Sequence, residues 1–392
     1  MAMKLRQVVC SALLLGSVVL GSACSEDDPP TPADTVETTV WDDFKGGFSA
    51  GSATAKWFHL AAGPYTTNDG NTTILSNGLR VVAKGTNPET NRPAFSLTLD
   101  QEKDNGGVPS TFDHVKFLAY MNSMSTAGFP GFDTVEGKEF ACVARMTGQT
   151  FGTRAHPFGV RVDNANADLR LASFAMANID VESYMVFDFF ITNRRIYAFY
   201  ERLPFGRTAT NNYASFSYAI PVKNRTRDQV HDLSIAYDRT AGTVRWIVDG
   251  KELYRVTQVG RRLPASDNKY LMLDLGGVEQ DIKLNQLDCG MATFSLLDGS
   301  VGSQPGLVRL SSDLVYYSPT TGAPNLQTFV DETSQDSSRL FGQGAEFRVG
   351  EYKVTNTVHG APVPAFTYVD PGPIAPDTTD SSDGTPQTGP LP

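Results

Sequence analysis

The chain has 392 residues, with 33 basic and 43 acidic side chains, 35 glycines and 23 prolines. This composition excludes a coiled coil, a disordered chain and a multi-span membrane protein, because no heptad repeat, sustained charge excess or second long apolar run occurs. Much of the negative charge lies in residues 25–39 and in the segment after residue 369. The body between them is nearly neutral and lacks the basic footprint of nucleic-acid binding, so we expect no nucleic-acid partner.

Residues 1–23 have the features of an export signal peptide. Lys4 and Arg6 form a positive start, residues 8–19 are apolar, and small residues precede Cys24. The four residues before Cys24 resemble the lipobox of bacterial lipoproteins, with Gly where Leu is usual. The resemblance implies an exported protein that is held at a bacterial membrane or cell surface only by a lipid on Cys24. The alternative is an ordinary secretory signal followed by a chance cysteine.

Two further segments are low in sequence complexity. Residues 24–39 are acidic and rich in Pro and Thr, with one large apolar residue, so we expect a solvated tether. Residues 370–392 are rich in Pro, Thr and Asp, and we expect a disordered tail. Residues 40–369 are enough for one large β domain or two small ones, and we assign them to one domain.

The body has the pattern of β-strands separated by turns. Helical periodicity is scarce, and short β-rich segments lie between Gly, Asn, Asp and Pro. The clearest hairpin is 243–256, where Asp249-Gly250 suits a two-residue type I′ turn. Many strands without crossover helices predict an all-β fold of antiparallel sheets, two of them packed face to face. The other predicted strands are 78–83, 95–99, 138–146, 184–192, 195–200, 214–222 and 231–238.

Two cysteines lie in the body. Cys142 and Cys289 are both in strand-like segments, and an exported protein favours a disulfide between them. Two buried free thiols fit the sequence equally well. The pairing stays open at this point.

The second half of the body carries a resemblance to a known superfamily. Residues 231–239 and 244–252, with their Trp-x-Val-Asp-Gly-Lys hairpin, and the strand at 269–274 resemble the concanavalin A-like lectins and glucanases. The body from residue 40 to residue 344 also resembles an uncharacterised family of exported bacterial and fungal proteins, and residues 200–207 look like its most distinctive stretch. The resemblance implies a jelly-roll sandwich with one concave face. It does not imply a particular activity.

The glucanase resemblance makes a chemical demand that these residues do not meet. Retaining members carry Glu-x-Asp-x-Glu on one strand, so that three carboxyl groups project from the same face. In one alignment Asp188 takes the helper position, while Val186 and Phe190 replace both glutamates. In the other, residues 178–182 match but Asn178 stands at the nucleophile, and an amide cannot form the glycosyl–enzyme ester. We prefer the first alignment, because that strand leads directly into the next one.

In the preferred alignment, residues 186, 188 and 190 face the concave side and residues 187, 189 and 191 face the core. On the next strand Tyr197, Phe199 and Glu201 alternate to one side. Aromatic rings with a few carboxylates suit a sugar or an apolar small molecule. The alternative is a second hydrophobic interface that only packs against loops. The candidate ligand-binding residues are Asp188, Phe190, Tyr197, Phe199, Glu201 and Arg202.

Three functions remain open at this stage. We favour a non-catalytic glycan-binding module at the cell surface. The second is an enzyme with a relocated acid/base among Glu182, Asp188 and Glu201, which requires a raised pKa in a cleft. The third is a pocket for an apolar metabolite, which requires a closed cavity where a glycan site requires an open groove.

We expect no metal or other cofactor. The five histidines, at positions 59, 114, 156, 231 and 359, lack metal-ligand spacing, and each is interpreted as a lone structural or surface residue. Asp42 and Asp43 are a minor calcium candidate. Solvated surface acids are the favoured interpretation of this pair.

Overall fold

The computed structural model describes residues 33–63, 65–101, 110–317, 326–374 and 384–391. Short helices in this part are α1 (Leu314–Tyr317), α2 (Asp336–Arg339) and the 3₁₀ turns Ser110–His114, Thr153–Ala155, Gly159–Arg161 and Ala265–Tyr270. None of the described helices has the length and apolar character needed to cross a bilayer. The strands are β1 (Thr35–Asp42), β2 (Trp57–His59), β3 (Ala61–Ala62), β4 (Tyr65–Thr66), β5 (Asn71–Leu75), β6 (Gly78–Val82), β7 (Gly85–Thr86), β8 (Pro93–Ala94), β9 (Val115–Met121), β10 (Phe132–Asp133), β11 (Glu139–Phe151), β12 (Ser173–Asp180), β13 (Met185–Ile191), β14 (Arg195–Arg202), β15 (Phe216–Asn224), β16 (His231–Asp238), β17 (Thr243–Val248), β18 (Lys251–Val256), β19 (Leu271–Asp274), β20 (Gln286–Phe294), β21 (Gly306–Val308), β22 (Phe329–Asp331) and β23 (Gly344–Val358).

Most of these strands belong to two large antiparallel sheets. Sheet 1 has the order β18-β17-β16-β11-β23-β6-β5, with β1 also paired to β23. Sheet 2 has the order β19-β15-β14-β13-β12-β20-β9-β2, with β10 paired to β20. The all-β jelly-roll sandwich predicted from the sequence is confirmed.

Strand alternation builds the core between the two sheets. On β13 the side chains at 185, 187, 189 and 191 point inwards, and Trp246 of β17 packs edge-on against Phe187. The Trp246 indole also donates a hydrogen bond to the main-chain oxygen of Asp188 over 2.8 Å, which joins the sheets by a polar contact. Cys142 of β11 and Cys289 of β20 form a disulfide across the same core, which resolves the open pairing.

The predicted hairpin is formed by β17 and β18. Asp249 and Gly250 have φ values of 54° and 74°, so both turn residues occupy the left-handed region that a type I′ turn demands. The Asp249 carboxylate is also used locally, because it accepts hydrogen bonds from the Asp232 main chain and the His231 ring.

Two boundaries differ from the sequence-based assignment. β1 begins at Thr35, so residues 35–39 pair with β23 instead of belonging to the tether. Their side chains are exposed, and the strand is held by main-chain pairing that an apolar pattern does not reveal. Residues 384–391 of the expected disordered tail lie against sheet 1, and Gly372 is held by the Arg195 guanidinium. The signal peptide and Cys24 lie outside the described residues.

Candidate active site on the outer face of sheet 2

The face of sheet 2 that points away from the core carries a second apolar cluster, and a cavity of about 160 Å³ lies within it. β13 contributes Val186, Asp188 and Phe190, and β14 contributes Phe199 and Glu201. These are the alternate residues of two paired strands, in which Glu201 is opposite Val186 and Asp188 is opposite Phe199.

The competing strand alignment places its residues differently. Asn178 of β12 lies opposite Cys289 and Phe187, which both face the inter-sheet core. The outer face of β12 carries Ala175, Ala177 and Ile179 instead. Of these two strands, β13 is therefore the one that presents a carboxyl group to the cavity.

Loops cover part of this face and contribute to the lining of the cavity. Phe205, in the loop after β14, stacks on Phe112 with ring centroids 5.8 Å apart and contacts Tyr316 at 6.2 Å. Beneath this aromatic cover, the rings of Phe190 and Phe199 meet edge to face at 4.7 Å. They are only 2% and 3% exposed, so neither ring forms an open platform.

Glu201 is a carboxyl group on the cavity wall. Its carboxylate accepts a hydrogen bond from the Ser217 hydroxyl of the neighbouring strand β15. Burial raises the pKa of Glu201 to about 7, although the Ser217 hydrogen bond and the charge of His114 lower it. Near neutral pH this carboxyl group is therefore poised to gain or lose a proton.

A histidine and an aspartate face the same cavity. The Nε2 of His114 lies 2.5 Å from Asp298 Oδ1, and the Tyr317 hydroxyl donates to Asp298 Oδ2 over 2.9 Å. Burial by itself lowers the pKa of His114, but the charges of Asp298 and Glu201 outweigh it and hold the pKa above its usual value. The imidazole keeps its proton to higher pH than an ordinary histidine and lowers the cost of a negative Glu201 nearby.

Asp188 is a second carboxyl group on the cavity wall. One of its oxygens accepts the main-chain N–H of Asn178 over 2.7 Å. Burial raises the pKa of Asp188 well above its usual range, and the nearby Glu201 raises it further. Asp188 therefore keeps its proton to a higher pH than an ordinary aspartate, and in its protonated form it can donate a hydrogen bond to a bound molecule.

A family model described as a family of unknown function, DUF6081, matches residues 41–358. The chain belongs to this family. A relative, "Uncharacterized protein L829" of Acanthamoeba polyphaga mimivirus, is 29% identical over 259 residues, which are 52% of this chain and 58% of that protein. The chain thus spans less than two thirds of this curated relative.

Solved structures similar to this DUF6081 protein include a transglycosylase and a β-glucanase. An apo Crh5 transglycosylase has 11% identity and a TM-score of 0.32, with 83% of this chain and 84% of that chain covered. A Bacillus licheniformis β-glucanase has 9% identity and a TM-score of 0.34, with coverages of 83% and 99%. At these scores we take no residue role or activity from either neighbour.

The sequence-predicted residues of the DUF6081 protein fall into two groups. Asp188, Phe190, Phe199, Glu201 and Arg202 all line the cavity. The Arg202 guanidinium is engaged elsewhere, because it lies 3.8 Å from the ring centre of a tyrosine in the loop before β15.

Two predicted residues lie away from the cavity. The Tyr197 hydroxyl donates to the main-chain oxygen of Ala167 over 2.8 Å, and the side chain lines a neighbouring surface depression. Glu182 is exposed at the turn after β12, where Asn285 and Gln286 donate hydrogen bonds to it. Of the three candidate acids, the cavity unites Asp188 and Glu201.

The sequence analysis missed His114, Ser217 and Asp298. His114 was interpreted as a lone histidine, and its partner Asp298 is 184 residues away, so no local motif joins them. Strand alternation on β15 marks Ser217 as a face residue, but only the register against β14 places it opposite Glu201.

No group of three or more His, Cys, Asp or Glu side chains among the described residues is arranged to hold a metal ion. At the calcium candidate, Asp42 accepts hydrogen bonds from the Trp57 indole and the Lys56 ammonium, and Asp43 pairs with Lys45 at 2.8 Å. Protein donors therefore occupy both carboxylates.

Proposed function

We propose that this protein binds a small, largely apolar molecule with at least one hydrogen-bonding group in the cavity on the outer face of sheet 2. The observation that carries the proposal is the partly covered cavity of about 160 Å³, where apolar side chains surround Glu201, Asp188 and His114. An apolar wall supplies affinity through burial, and a few polar groups orient the ligand.

The small size and mainly apolar lining of the cavity favour this function over the glycan module. Pockets for drug-sized ligands measure roughly 300–1,000 Å³, so this cavity suits a smaller molecule. A sugar would bury several hydroxyl groups against apolar walls, and each unpaired group would cost about 1–3 kcal/mol. Phe190 and Phe199, which the glycan model uses as stacking platforms, contact each other, and Phe190 also contacts Phe294.

A second candidate function is acid–base catalysis on the bound molecule. It is favoured by Glu201, whose pKa of about 7 lies near neutral pH, and by the neighbouring His114–Asp298 pair. A carboxyl group that changes protonation near the working pH is an efficient proton donor and acceptor. Glu201 would then act as the acid/base, and Asp188 would hold a polar group of the substrate.

We further propose that the protein is exported and held at a bacterial membrane or surface by a lipid on Cys24, its only membrane contact. The leader sequence motivates this location, and the Cys142–Cys289 disulfide supports an oxidising compartment.

The binding proposal is tested with the full mature chain by isothermal titration calorimetry. The probes are cyclohexanol and benzyl alcohol on one side, and laminarin-derived oligosaccharides on the other. We expect saturable binding of the alcohols, and loss of that binding in Val186→Phe, which fills the cavity. Tyr197→Phe is the matched control, because Tyr197 lies on the adjacent strand outside the cavity and should bind the alcohols normally. Oligosaccharide binding without alcohol binding would restore the glycan model.

A further inference from the structure

The outer face of sheet 1 holds polar side chains that are buried. Gln149 on β11 and Glu346 and Arg348 on β23 are 1%, 1% and 5% exposed. Polar residues on the outer face of an antiparallel sandwich ordinarily face water. Here residues 384–391, near the end of the chain, lie across them.

The first half of this segment is bound through its main chain. Glu346 Oε1 accepts the N–H of Gln387 over 2.7 Å, and Gln149 Nε2 donates to the carbonyl oxygen of Thr385 over 2.8 Å. Arg80 donates to the other oxygen of Glu346 over 2.6 Å and balances its charge. The carboxylate is thereby held in place to receive a peptide N–H.

The second half is bound in the same manner. Arg348 Nη1 donates to the carbonyl oxygens of Gly389 and Pro390 over 3.1 and 2.8 Å. The Asn77 side-chain amide, in the turn between β5 and β6, pairs with both main-chain groups of Leu391, over 2.7 and 2.9 Å. Leu391 itself is 5% exposed, so its side chain anchors the end of the segment.

The bound segment is suited to this surface by its composition. Residues 384–391 carry no charge, and the Glu346 carboxylate that they contact is already paired with Arg80. A Cβ atom at position 384 would collide with the Gln149 side chain, so glycine permits the close approach. Pro386 and Pro390 have no N–H that would need a partner, and proline favours an extended backbone.

We propose that the outer face of sheet 1 is a peptide-binding site that recognises the main chain of an extended, uncharged segment rich in glycine and proline, and that residues 384–391 of the same chain occupy it in solution. The site uses a carboxylate, a guanidinium and two side-chain amides to replace the hydrogen bonds of an added strand. It is independent of the cavity in sheet 2, which lies on the other sheet.

The test uses the full chain with Gln387→Pro and Leu391→Asp, which removes the N–H bound by Glu346 and the buried anchor. The probe is a fluorescein-labelled peptide with the sequence of residues 384–391, and the readout is fluorescence anisotropy. We expect saturable binding to this double variant. The peptide should bind the unchanged chain at least about tenfold more weakly, because the tethered tail competes for the site at high effective concentration.

Two matched controls identify the site. Adding Asn77→Ala to the double variant should weaken peptide binding about tenfold, because two hydrogen bonds are lost at an exposed turn. A peptide with proline at the position of Gln387 should bind at least tenfold more weakly. Circular dichroism melting verifies that each variant keeps its fold, and Leu391→Asp alone replaces the double variant if it does not.

Three results would overturn the proposal. The first is no saturable binding to the folded tail variants. The second is equal affinity of the labelled peptide for the unchanged chain and for the double variant. The third is concentration-dependent self-association of the unchanged chain that the double variant abolishes, because the tail would then occupy the site of a second copy.

Discussion

The outer faces of the two sheets are built by the same alternation of side chains, but one buries mainly apolar residues and the other buries polar and charged ones. On sheet 2 the outward residues are mainly apolar and line a cavity whose wall also carries Asp188 and Glu201. On sheet 1 the outward residues Arg80 and Glu346 are paired charges, and main-chain groups of the tail complete their hydrogen bonds. A carboxyl group in an apolar wall has a raised pKa and can exchange a proton near neutral pH, whereas a carboxylate paired with arginine serves here to accept hydrogen bonds.

One of the two largest expected effects comes from removing the disulfide that joins the two sheets. The Cys142–Cys289 disulfide closes a loop of 147 residues between the two sheets. Replacing both cysteines by alanine should lower the free energy of unfolding by about 2–5 kcal/mol, because the unfolded chain gains entropy. Guanidinium unfolding of the double variant measures this. Alkylation of both thiols in the native, unreduced protein would show that the bond is absent.

A cavity mutation should separate the two faces. Phe190→Ala removes a ring that packs on Phe199 and Phe294, and should cost about 3–5 kcal/mol in the free energy of unfolding. Benzene or cyclohexanol should recover part of this loss by filling the space, as a rise in melting temperature. The tail peptide should bind to sheet 1 as before. A variant as stable as the unchanged protein would show that the face is not packed.

The pH dependence of stability tests whether Glu201 has the raised pKa that its burial predicts. The pKa of Glu201 in the folded protein is about 7, above its usual 4.5, so between these values the folded state holds a proton that the unfolded chain has lost. The free energy of unfolding should therefore fall by about 1–3 kcal/mol as the pH rises from about 4.5 to 7.

Glu201→Gln should remove that part of the pH dependence. Asp188 and His114, whose pKa values are also raised, make stability fall with rising pH in both proteins. Because Glu201 contributes to both of these shifts, the difference between the two profiles measures Glu201 together with its effect on these two neighbours. Urea unfolding at pH 4.5, 6 and 8 gives the profiles. Parallel profiles would mean that Glu201 titrates normally.

The smallest expected effect is on sheet 1. Asn77→Ala should change the free energy of global unfolding by less than about 1 kcal/mol, because the tail opens without unfolding the sandwich. It should instead speed amide hydrogen exchange at Leu391, as measured by mass spectrometry. Asn71→Ala, on the exposed strand β5, is the control and should leave this exchange unchanged.

Strand alternation and turn type could be predicted from the sequence alone, because they depend on residues that are adjacent in the chain. The alternation in residues 184–192 identified which side chains of β13 face the core, and Asp249-Gly250 marked the hairpin, because strand periodicity and turn conformation are local properties. Phe190, Phe199, Asp188 and Glu201 could be selected for the same reason.

The contacts between these residues and distant parts of the chain are visible only in the folded structure. His114 meets Asp298 across 184 residues, and Glu201 meets Ser217 only through the register of β14 against β15. The loops that bury this face raise the pKa values of its acids, and the same face in an open groove would have left them ordinary. Burial and long-range pairing depend on the whole chain's packing, and no short pattern encodes them.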